Sequence, residues 1–465
     1  MGSARQDVPG SAPVPVRSGF EEALAHFHAQ SHDKDVTQVE TLFFGDEPSN
    51  GLALPVPGQL RPPLPALAPL RDLDAAATAL GGGWPPAQRL LAACVEAVRV
   101  RRISAADRYP VHRAYPSPRG LFGADLFLLP PEGAAWCLRV DPQSHALQPV
   151  GGPGAPADLD GARLVVAVDQ NRYPPEYGRL RPSLARLEAG HLLATLGLTL
   201  TRAGLRPHTH PDPAHPACAE AAQLLPEGMT AVAALTLDTA PPRTTAPLPS
   251  APSGVVLSPE ATARVAATVA PPGRTLRRWL DERTSGVSTA NLVTSAYVSP
   301  SQGSTINSGL TRALAAAHDA LPHPRTLRLY QHALEGDRVD DRVVRELHPD
   351  GTAGPSRPAP RTGETNFSAT LGHTLTVDFP AWARALGPEH AETVLHTLLG
   401  WITQWGCLGA AATDLCARPM RNYSEADWAF ALGLEPEQTP VYQLWVRAER
   451  GTYMDTPVDA APETP

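Results

Sequence analysis

The sequence predicts an α+β fold in which antiparallel sheets pack on long buried helices. Two long apolar stretches, at about residues 181–204 and 391–412, have helical spacing and few polar positions, which is typical of buried helices. Short runs bounded by turn residues precede each stretch and have the composition of strands. Because this order recurs in outline in the second half, we expect two similar units fused in the 465 residues.

The first half contains the clearer pattern. Apolar residues at helical spacing predict a helix that begins near residue 19, and a second helix is expected over residues 86–100. Three strands are expected in "GADLFLLPP", "AAWCLRVD" and "ARLVVAVDQN". The helix over residues 181–204 is expected to end at Gly204, because glycine favours the left-handed conformation that terminates helices.

The second half repeats the pattern more faintly. Helices are expected in "PEATARVAATV" and around "SGLTRALAAAHDAL", and strands in "TLRLYQHAL" and "RVVRELHPDG". A turn-rich segment, the long helix over residues 391–412 and a last strand in "TPVYQLWVRAE" follow.

Proline-rich stretches set the expected domain boundaries. The 52 prolines are roughly twice the average number and cluster in segments such as "LPVPGQLRPPLPALAPL" and "APPRTTAPLPSAPSG". The expected division is a disordered N-terminus (1–18), a first unit (19–237), a proline-rich linker (238–254), a second unit (255–452) and a disordered tail (453–465).

Composition excludes several classes of protein. The net charge is −8 and no long basic run is present, which argues against a nucleic-acid partner. Five scattered cysteines argue against a disulfide framework, and neither a signal-peptide core nor a membrane span is found, so we expect a cytoplasmic protein without a membrane partner. Lys34 is the one lysine, so a reaction that needs an amine has only this residue.

Several segments resemble the nitroreductase-like flavin enzymes of the SagB/McbC type. In the first half they are "FHAQS", "HRAYPSPRGLFGADLFLL", "WCLRVDPQSHALQPV" and "EYGRLRPSLARLEAGHLLATLGLTLTRAGL", in the family's order. In the second half "DERTSG", "WGCLGAAATDLCARP" and "YSEADWAFALGLEPEQTPVYQLWVRAE" are similar to the closing part of the same fold, more loosely. The resemblance spans most of residues 19–450. It implies two fused nitroreductase-like units with FMN as cofactor.

The resemblance also implies cofactor-binding residues. FMN needs cations or amide donors at its phosphate and donors at the edge of its ring system. The matching segments offer such groups at Arg113, Ser117, Arg119, Gly120, Arg283, Ser285, Gly409, Arg418 and Arg421. Structural roles stay open for them: a polar turn in "PSPRG", a helix C-terminus in "ERTSG", and in "ARPMR" an interaction with the dipole of the preceding helix.

The catalytic residues implied by the resemblance are Tyr177 and Glu176. The family places a Lys-Tyr pair near the flavin, and here Glu176 stands at the lysine position while Tyr177 is kept. Azoline oxidation needs a group that accepts the α-proton as hydride passes to the flavin. Glu176 can be that base if it is partly desolvated, and the alternative is a solvated loop glutamate.

Other polar residues have structural interpretations. "HTHPDPAHPAC" contains four possible zinc ligands, but its spacing fits no common site and its prolines indicate an extended loop, so no metal is expected. His191 is expected to be a hydrogen-bonded core histidine. Trp401 and Trp405 are expected to form one packed stripe of a helix.

The activity implied by the resemblance is FMN-dependent dehydrogenation of thiazolines or oxazolines to thiazoles or oxazoles in a ribosomally made peptide, as in thiopeptide-type pathways. The implied partners are a precursor peptide and a cyclodehydratase, and the protein is expected to be a homodimer or a pseudo-dimeric monomer. Two alternatives stay open: a flavin reductase that uses NAD(P)H, and a non-catalytic scaffold that binds the precursor peptide or the cyclodehydratase.

Overall fold

The computed structural model describes segments from both halves of the chain. They are residues 19–31, 85–104, 109, 111–143, 145, 147–151, 159, 161–238, 254–286, 298–322, 326–335, 342–359, 371–421, 423–447 and 455–457. The expected disordered N-terminus, Lys34 and nearly all of the expected linker lie outside the described residues.

The first half of the described chain contains one six-stranded antiparallel sheet and a long helix. In chain order the elements are α1 (Gly19–Ser31), α2 (Pro86–Val98), β1 (Arg102–Ser104), β2 (Val111–His112), β3 (Ala124–Leu129), β4 (Cys137–Val140), β5 (Leu147–Gly151), β6 (Arg163–Asp169), α3 (Arg181–Arg202), β7 (Pro207–His210), α4 (Pro216–Ala222) and β8 (Met229–Leu237). The sheet order is β5-β4-β3-β6-β8-β7. Helix α3 ends where expected, since Gly204 follows it with a φ of 71°.

The second half repeats this architecture. Its elements are α5 (Pro259–Val269), α6 (Leu276–Asp281), α7 (Pro300–Ala320), β9 (Leu327–Leu334), β10 (Arg342–Leu347), β11 (Arg357–Pro358), β12 (Leu371–Asp378), α8 (Phe379–Leu386), α9 (Pro388–Ala412), β13 (Cys416–Met420), α10 (Glu425–Leu432), β14 (Gln438–Arg447) and β15 (Asp455–Pro457). The second six-stranded sheet of the described chain has the order β11-β10-β9-β12-β14-β13. Strand for strand, this order matches the first sheet and confirms the predicted α+β fold.

Several elements differ from the sequence-based expectations. Strand β12 lies within the segment expected to be turn-rich. Thr374 and Thr376 of this strand are buried but polar, so the sequence lacks the apolar pattern of a buried strand. The hydroxyl groups of the two threonines form hydrogen bonds with Gln443 and Gln438, respectively. The histidine-rich segment forms β7 and the start of α4 rather than an extended loop. The tail was expected to be disordered, but residues 455–457 form β15, which pairs with β1.

The two long helices cross in direct backbone contact at Gly190 of α3 and Gly400 of α9. A Cβ atom on Gly190 would collide with the carbonyl oxygen of Thr397 and lie 2.8 Å from the nitrogen of Trp401. A Cβ on Gly400 would lie 3.0 Å from the Cα of Gly190. Glycine at both positions therefore lets the two units share one core between their central helices.

The aromatic pair on α9 forms part of this core. Trp401 and Trp405 are both fully buried, and their rings meet edge to face with centroids 5.8 Å apart. The predicted tryptophan stripe is confirmed. All five cysteines are buried and free, as the absence of a disulfide framework predicts. Within the described ranges, no helix is long and apolar enough to span a membrane.

A stacked ring pair and an ion pair are among the contacts that hold helix α1 against the second unit. Phe27 stacks on Phe379 with ring centroids 3.8 Å apart. The Nδ1 atom of His26 lies 2.7 Å from the carboxylate of Glu392. This hydrogen bond raises the pKa of His26 above 6.5, against the opposing effects of burial and of Arg186.

We expect Gly190→Ala to lower the free energy of unfolding by about 3 kcal/mol, because the new methyl group has no space between two backbones. Gly303→Ala is the matched control. It lies in α7 with only an ordinary contact to Leu371 at 3.6 Å, and it should raise the stability by about 0.5 kcal/mol. Urea denaturation of both variants measures the difference, and equal midpoints would contradict the close crossing.

We expect the docking of α1 to weaken as the pH rises. A raised pKa in the folded state means that the His26–Glu392 attraction is fully present below about pH 6.5 and is lost as the pH rises through the folded-state pKa. Amide hydrogen exchange in α1, corrected for the intrinsic pH dependence, should show falling protection over that range. His26→Gln should remove this trend, and an unchanged trend in the variant would contradict the assignment.

Candidate functional site

Four residues predicted to bind the cofactor come together from three distant segments. Arg113 lies after β2, Arg283 and Ser285 follow α6, and Arg418 lies on β13. Arg283 donates from Nη1 to the Ser285 hydroxyl at 3.1 Å and from Nη2 to the Arg113 carbonyl at 3.1 Å. Arg418 donates from Nε to the Ser285 carbonyl at 3.2 Å. We call these four residues the arginine cluster.

Local contacts fix the orientation of the cluster. The guanidinium of Arg113 lies over the ring of Phe122 at 4.2 Å from its centroid and donates to the hydroxyl of Tyr115 at 2.9 Å. The backbone nitrogen of Ala417 donates to the Thr284 carbonyl at 3.1 Å, which joins β13 to the segment after α6. The cluster is therefore built from both halves of the chain.

The positive charge in the cluster is only partly compensated. Arg283 is 3% exposed, and burial lowers its pKa to about 10, so the group stays cationic near neutral pH. No carboxylate among the described residues forms an ion pair with Arg283 or Arg113, and the Nε atom of each has no hydrogen-bond partner there. A buried guanidinium without a counterion is costly. The cluster therefore fits an anion such as the phosphate of FMN.

Two neutral histidines flank Arg283. Burial, together with the charge of Arg283, lowers the pKa of His191 to about 3. Burial, with the charges of Arg102 and Arg283, lowers the pKa of His112 to about 3. The positive charge of the site therefore comes from the guanidinium groups. His191 is confirmed as a hydrogen-bonded core residue, with Gln404 at 3.1 Å from Nδ1 and the Tyr442 hydroxyl at 2.9 Å from Nε2.

Gln404 links this network to the arginine cluster. Its amide nitrogen donates to the carbonyl of Ala114 at 3.0 Å and to the hydroxyl of Thr195 at 3.1 Å, so its oxygen faces His191. His191 therefore carries its proton on Nδ1 and accepts from the hydroxyl of Tyr442 on Nε2. Through Gln404, helix α9 therefore holds the backbone of Ala114, the residue next to Arg113.

The "PSPRG" loop is anchored by Glu188, a residue that the sequence interpretation missed. The Ser117 hydroxyl donates to Glu188 at 2.5 Å and accepts from the Phe122 nitrogen at 2.8 Å. Tyr173 and the nitrogen of Ala124 also donate to the Glu188 carboxylate, each at 2.9 Å. A serine hydroxyl has one proton to donate, and Ser117 donates it to Glu188, so this hydroxyl stabilises the loop and does not donate to a ligand.

A signal for Glu188 exists in the sequence. It is the one carboxylate inside the apolar stretch of α3, and a carboxylate in a buried helix requires donors nearby. Burial raises its pKa, while the hydrogen bonds from Ser117, Ala124 and Tyr173 oppose the shift. The loop it anchors has left-handed backbone at Arg119 (φ 54°) and Gly120 (φ 65°).

Tyr177 and Glu176 lie in the turn before α3, in different environments. Tyr177 is half-buried against the core, and the guanidinium carbon of Arg119 lies 5.3 Å from its ring centroid. Glu176 is exposed, so the partial desolvation expected of a carboxylate base is not seen. Arg119 and Tyr177 thus form a pair between the "PSPRG" loop and this turn.

Two predicted cofactor ligands have other contacts. Gly409 faces α7, where a Cβ atom would lie 3.3 Å from the Cα of Ile306, so close helix packing accounts for this glycine. Arg421 is buried and forms an ion pair with Glu425 at 3.2 Å. Its charge is therefore already balanced by a carboxylate.

The histidine-rich segment does not assemble a metal site in the described part of the chain. No group of three or more His, Cys, Asp or Glu residues there has metal-binding geometry. The rings of His210 and His215 lie at an angle of 32° with centroids 4.2 Å apart, and His208 pairs with Asp238.

Comparison with solved structures identifies the fold. The chain aligns with the crystal structure of a protein from Anabaena variabilis ATCC 29413 that is classed as a nitroreductase, with a TM-score of 0.58 and 14% sequence identity. The alignment covers 92% of this chain and 99% of that one. The chain therefore has a nitroreductase-like fold, with two fused units of that type.

Other comparisons are weaker. A second protein classed as a nitroreductase, from Ralstonia eutropha JMP134, aligns over 40% of this chain and 90% of its own with a TM-score of 0.30 and 17% identity. The E. coli microcin synthetase McbBCD complex with truncated pro-MccB17 bound aligns over 48% of this chain and 94% of that chain, with a TM-score of 0.26 and 15% identity. No protein-family model and no curated protein sequence matches the chain.

We expect Arg283→Met to separate anion binding from stability. The variant removes a buried charge without a carboxylate partner, so the protein without added ligand should keep its melting temperature or gain a few degrees. Its affinity for FMN should fall by about 10–100-fold, since a charge-assisted hydrogen bond is lost. Differential scanning fluorimetry with and without FMN measures both effects. A large loss of stability with an unchanged FMN-induced shift would contradict an anion site at Arg283.

Proposed function

We propose that the protein is an FMN-dependent oxidoreductase whose arginine cluster binds the flavin phosphate. The observation that carries this proposal is the buried Arg283, which lacks a carboxylate partner among the described residues and joins both halves of a nitroreductase-like fold. Arg113 and Arg418 would add positive charge, and Ser285 a hydroxyl. The bound flavin would supply a hydride acceptor.

The proposed reaction is the oxidation of thiazolines or oxazolines to the aromatic azoles in a ribosomally made peptide. The sequence resemblance to the SagB/McbC type supports this choice of substrate. Aromatisation removes one hydride and one proton from each ring, and dioxygen would take the two electrons from the reduced flavin. A precursor peptide and a cyclodehydratase that forms the azolines are the proposed partners, in the cytoplasm.

Tyr177 and Glu176 are the proposed proton-handling residues. Tyr177 is the better placed of the two, because it is held against the core and beside the fixed cation of Arg119. Glu176, exposed in the same turn, would need the peptide substrate to cover it before it could act as a base. No lysine of the described chain replaces the amine of the family, since Lys34 lies outside it.

Flavin content tests the proposal first. Purified protein reconstituted with FMN should be yellow and release FMN on denaturation, and an azoline-containing peptide should lose two hydrogen atoms per ring by mass spectrometry. Consumption of NADPH with a nitro or alkene acceptor, without azoline oxidation, would instead indicate a reductase. A protein that cannot be loaded with FMN would point to the scaffold.

Replacement of Tyr177 tests the catalytic assignment. Tyr177→Phe should lower turnover by about 10²-fold or more, with unchanged FMN content, because general acid-base groups contribute at least this much. Glu176→Gln measures how much the carboxylate contributes to turnover. The matched control is Arg179→Gln, because Arg179 is an exposed residue of the same turn, and this variant should keep full activity. Full activity of Tyr177→Phe would remove Tyr177 from the reaction.

A further inference from the structure

The two halves can be compared residue by residue near the site. Gly190 and Gly400, at the helix crossing, are separated by 210 positions (400 − 190). The same separation of 210 relates the ends of α3 and α9. The backbone N–H of Leu205 donates to the carbonyl of Leu200 at 2.9 Å, and the backbone N–H of Leu415 donates to the carbonyl of Ala410 at 2.9 Å. The left-handed residues before them, Gly204 (φ 71°) and Asp414 (φ 62°), also correspond.

The same separation continues into the strands that follow. It makes Pro207 of β7 the counterpart of Ala417, and His208 the counterpart of Arg418. Strand register agrees, since His208 faces Thr236 on β8 as Arg418 faces Trp445 on β14. The first half therefore contains a position that corresponds by pseudo-symmetry to the β13 side of the arginine cluster.

The two contacts that β13 makes in the cluster, through the nitrogen of Ala417 and the guanidinium of Arg418, are not reproduced at this counterpart. The nitrogen of Ala417 donates to the segment that carries Arg283, but proline at position 207 has no N–H group to donate. The guanidinium of Arg418 is replaced by the imidazole of His208, whose Nε2 lies 2.9 Å from the Asp238 carboxylate.

Acidic residues surround His208. Asp238 accepts a hydrogen bond from Arg206 at 2.8 Å, and Arg206 also forms an ion pair with Glu260. Hydrogen bonds from Arg206 and His208 lower the pKa of Asp238 despite burial, so this carboxylate is ionised at neutral pH. Two carboxylates around one arginine repel a phosphate.

The space beside the counterpart is filled by the chain after the linker. Leu257 exchanges two backbone hydrogen bonds with Thr209 of β7, at 3.0 and 2.9 Å. A Cβ atom on Gly197 would lie 3.0 Å from the side chain of Thr262, which is fully buried. Gly197 corresponds to Cys407, the thiol that lies in the electrostatic field of Arg283. Thr262 thus packs against Gly197 of α3, and the corresponding position on α9 is Cys407, near Arg283.

We infer that each chain binds one flavin, at the arginine cluster, and that the counterpart around His208 is a closed structural joint. This inference rests on the proposed function. It means that the fused chain uses its two similar units asymmetrically: β13 and the segment after α6 bind the phosphate, whereas β7 and the start of α5 hold the two halves together.

The stoichiometry of FMN binding to the full chain tests the inference. Titration followed by flavin fluorescence quenching, with protein concentration from amino-acid analysis, should give one FMN per chain. Arg418→His, which installs the counterpart residue, should weaken FMN binding by about 10-fold while riboflavin binding changes little, and Arg418→Lys should restore part of the affinity. His208→Ala, the matched control, should leave the stoichiometry and the affinity unchanged.

The outcomes separate this inference from the function on which it rests. Two FMN per chain, or loss of FMN binding in His208→Ala with retention in Arg418→His, would overturn the single-site assignment and leave the flavoenzyme proposal standing. Failure of the parent protein to bind either FMN or riboflavin would overturn the proposed function, and the inference with it.

Discussion

The close crossing of α3 and α9 at Gly190 and Gly400 is the constraint on which the rest of the structure depends. Only residues without a Cβ atom let the two backbones meet, and that approach brings His191 within 3.1 Å of Gln404. Glu188, two residues before the crossing, anchors the "PSPRG" loop. The geometry of the candidate site is thus set by how closely the central helices of the two units approach each other.

The two units share a topology but differ in electrostatics. On the β13 side, three arginines converge, and Arg283 and Arg113 have no carboxylate ion pair in the described chain, which stores an unfavourable charge that an anion relieves. On the β7 side, the carboxylates of Asp238 and Glu260 compensate the charge of Arg206 locally, and His208 pairs with Asp238. Two similar units in one chain allow this division, because the same topology can hold different side chains in each half.

Much of the fold could be predicted from the sequence, and less of the site. Helices α3 and α9 were predictable because long apolar stretches with helical spacing suit buried helices. Strand β12 was not, because the hydrogen bonds that satisfy Thr374 and Thr376 involve residues of β14 that are 69 and 62 positions further along the chain. Their segments indicated Arg113, Arg283, Ser285 and Arg418 as cofactor ligands, and this assignment stays a prediction, whereas the convergence of the four residues depends on packing. The roles of Ser117 in loop anchoring and of Gly409 in helix packing likewise depend on contacts with distant segments.

A crystal structure of the protein grown with FMN tests the central claim most directly. The account predicts one flavin per chain, with its phosphate within hydrogen-bond distance of the guanidinium of Arg283 and with Arg113 and Arg418 adjacent. Ordered FMN whose phosphate lies beside His208, or at any place that leaves Arg283 without an anion, would contradict the account.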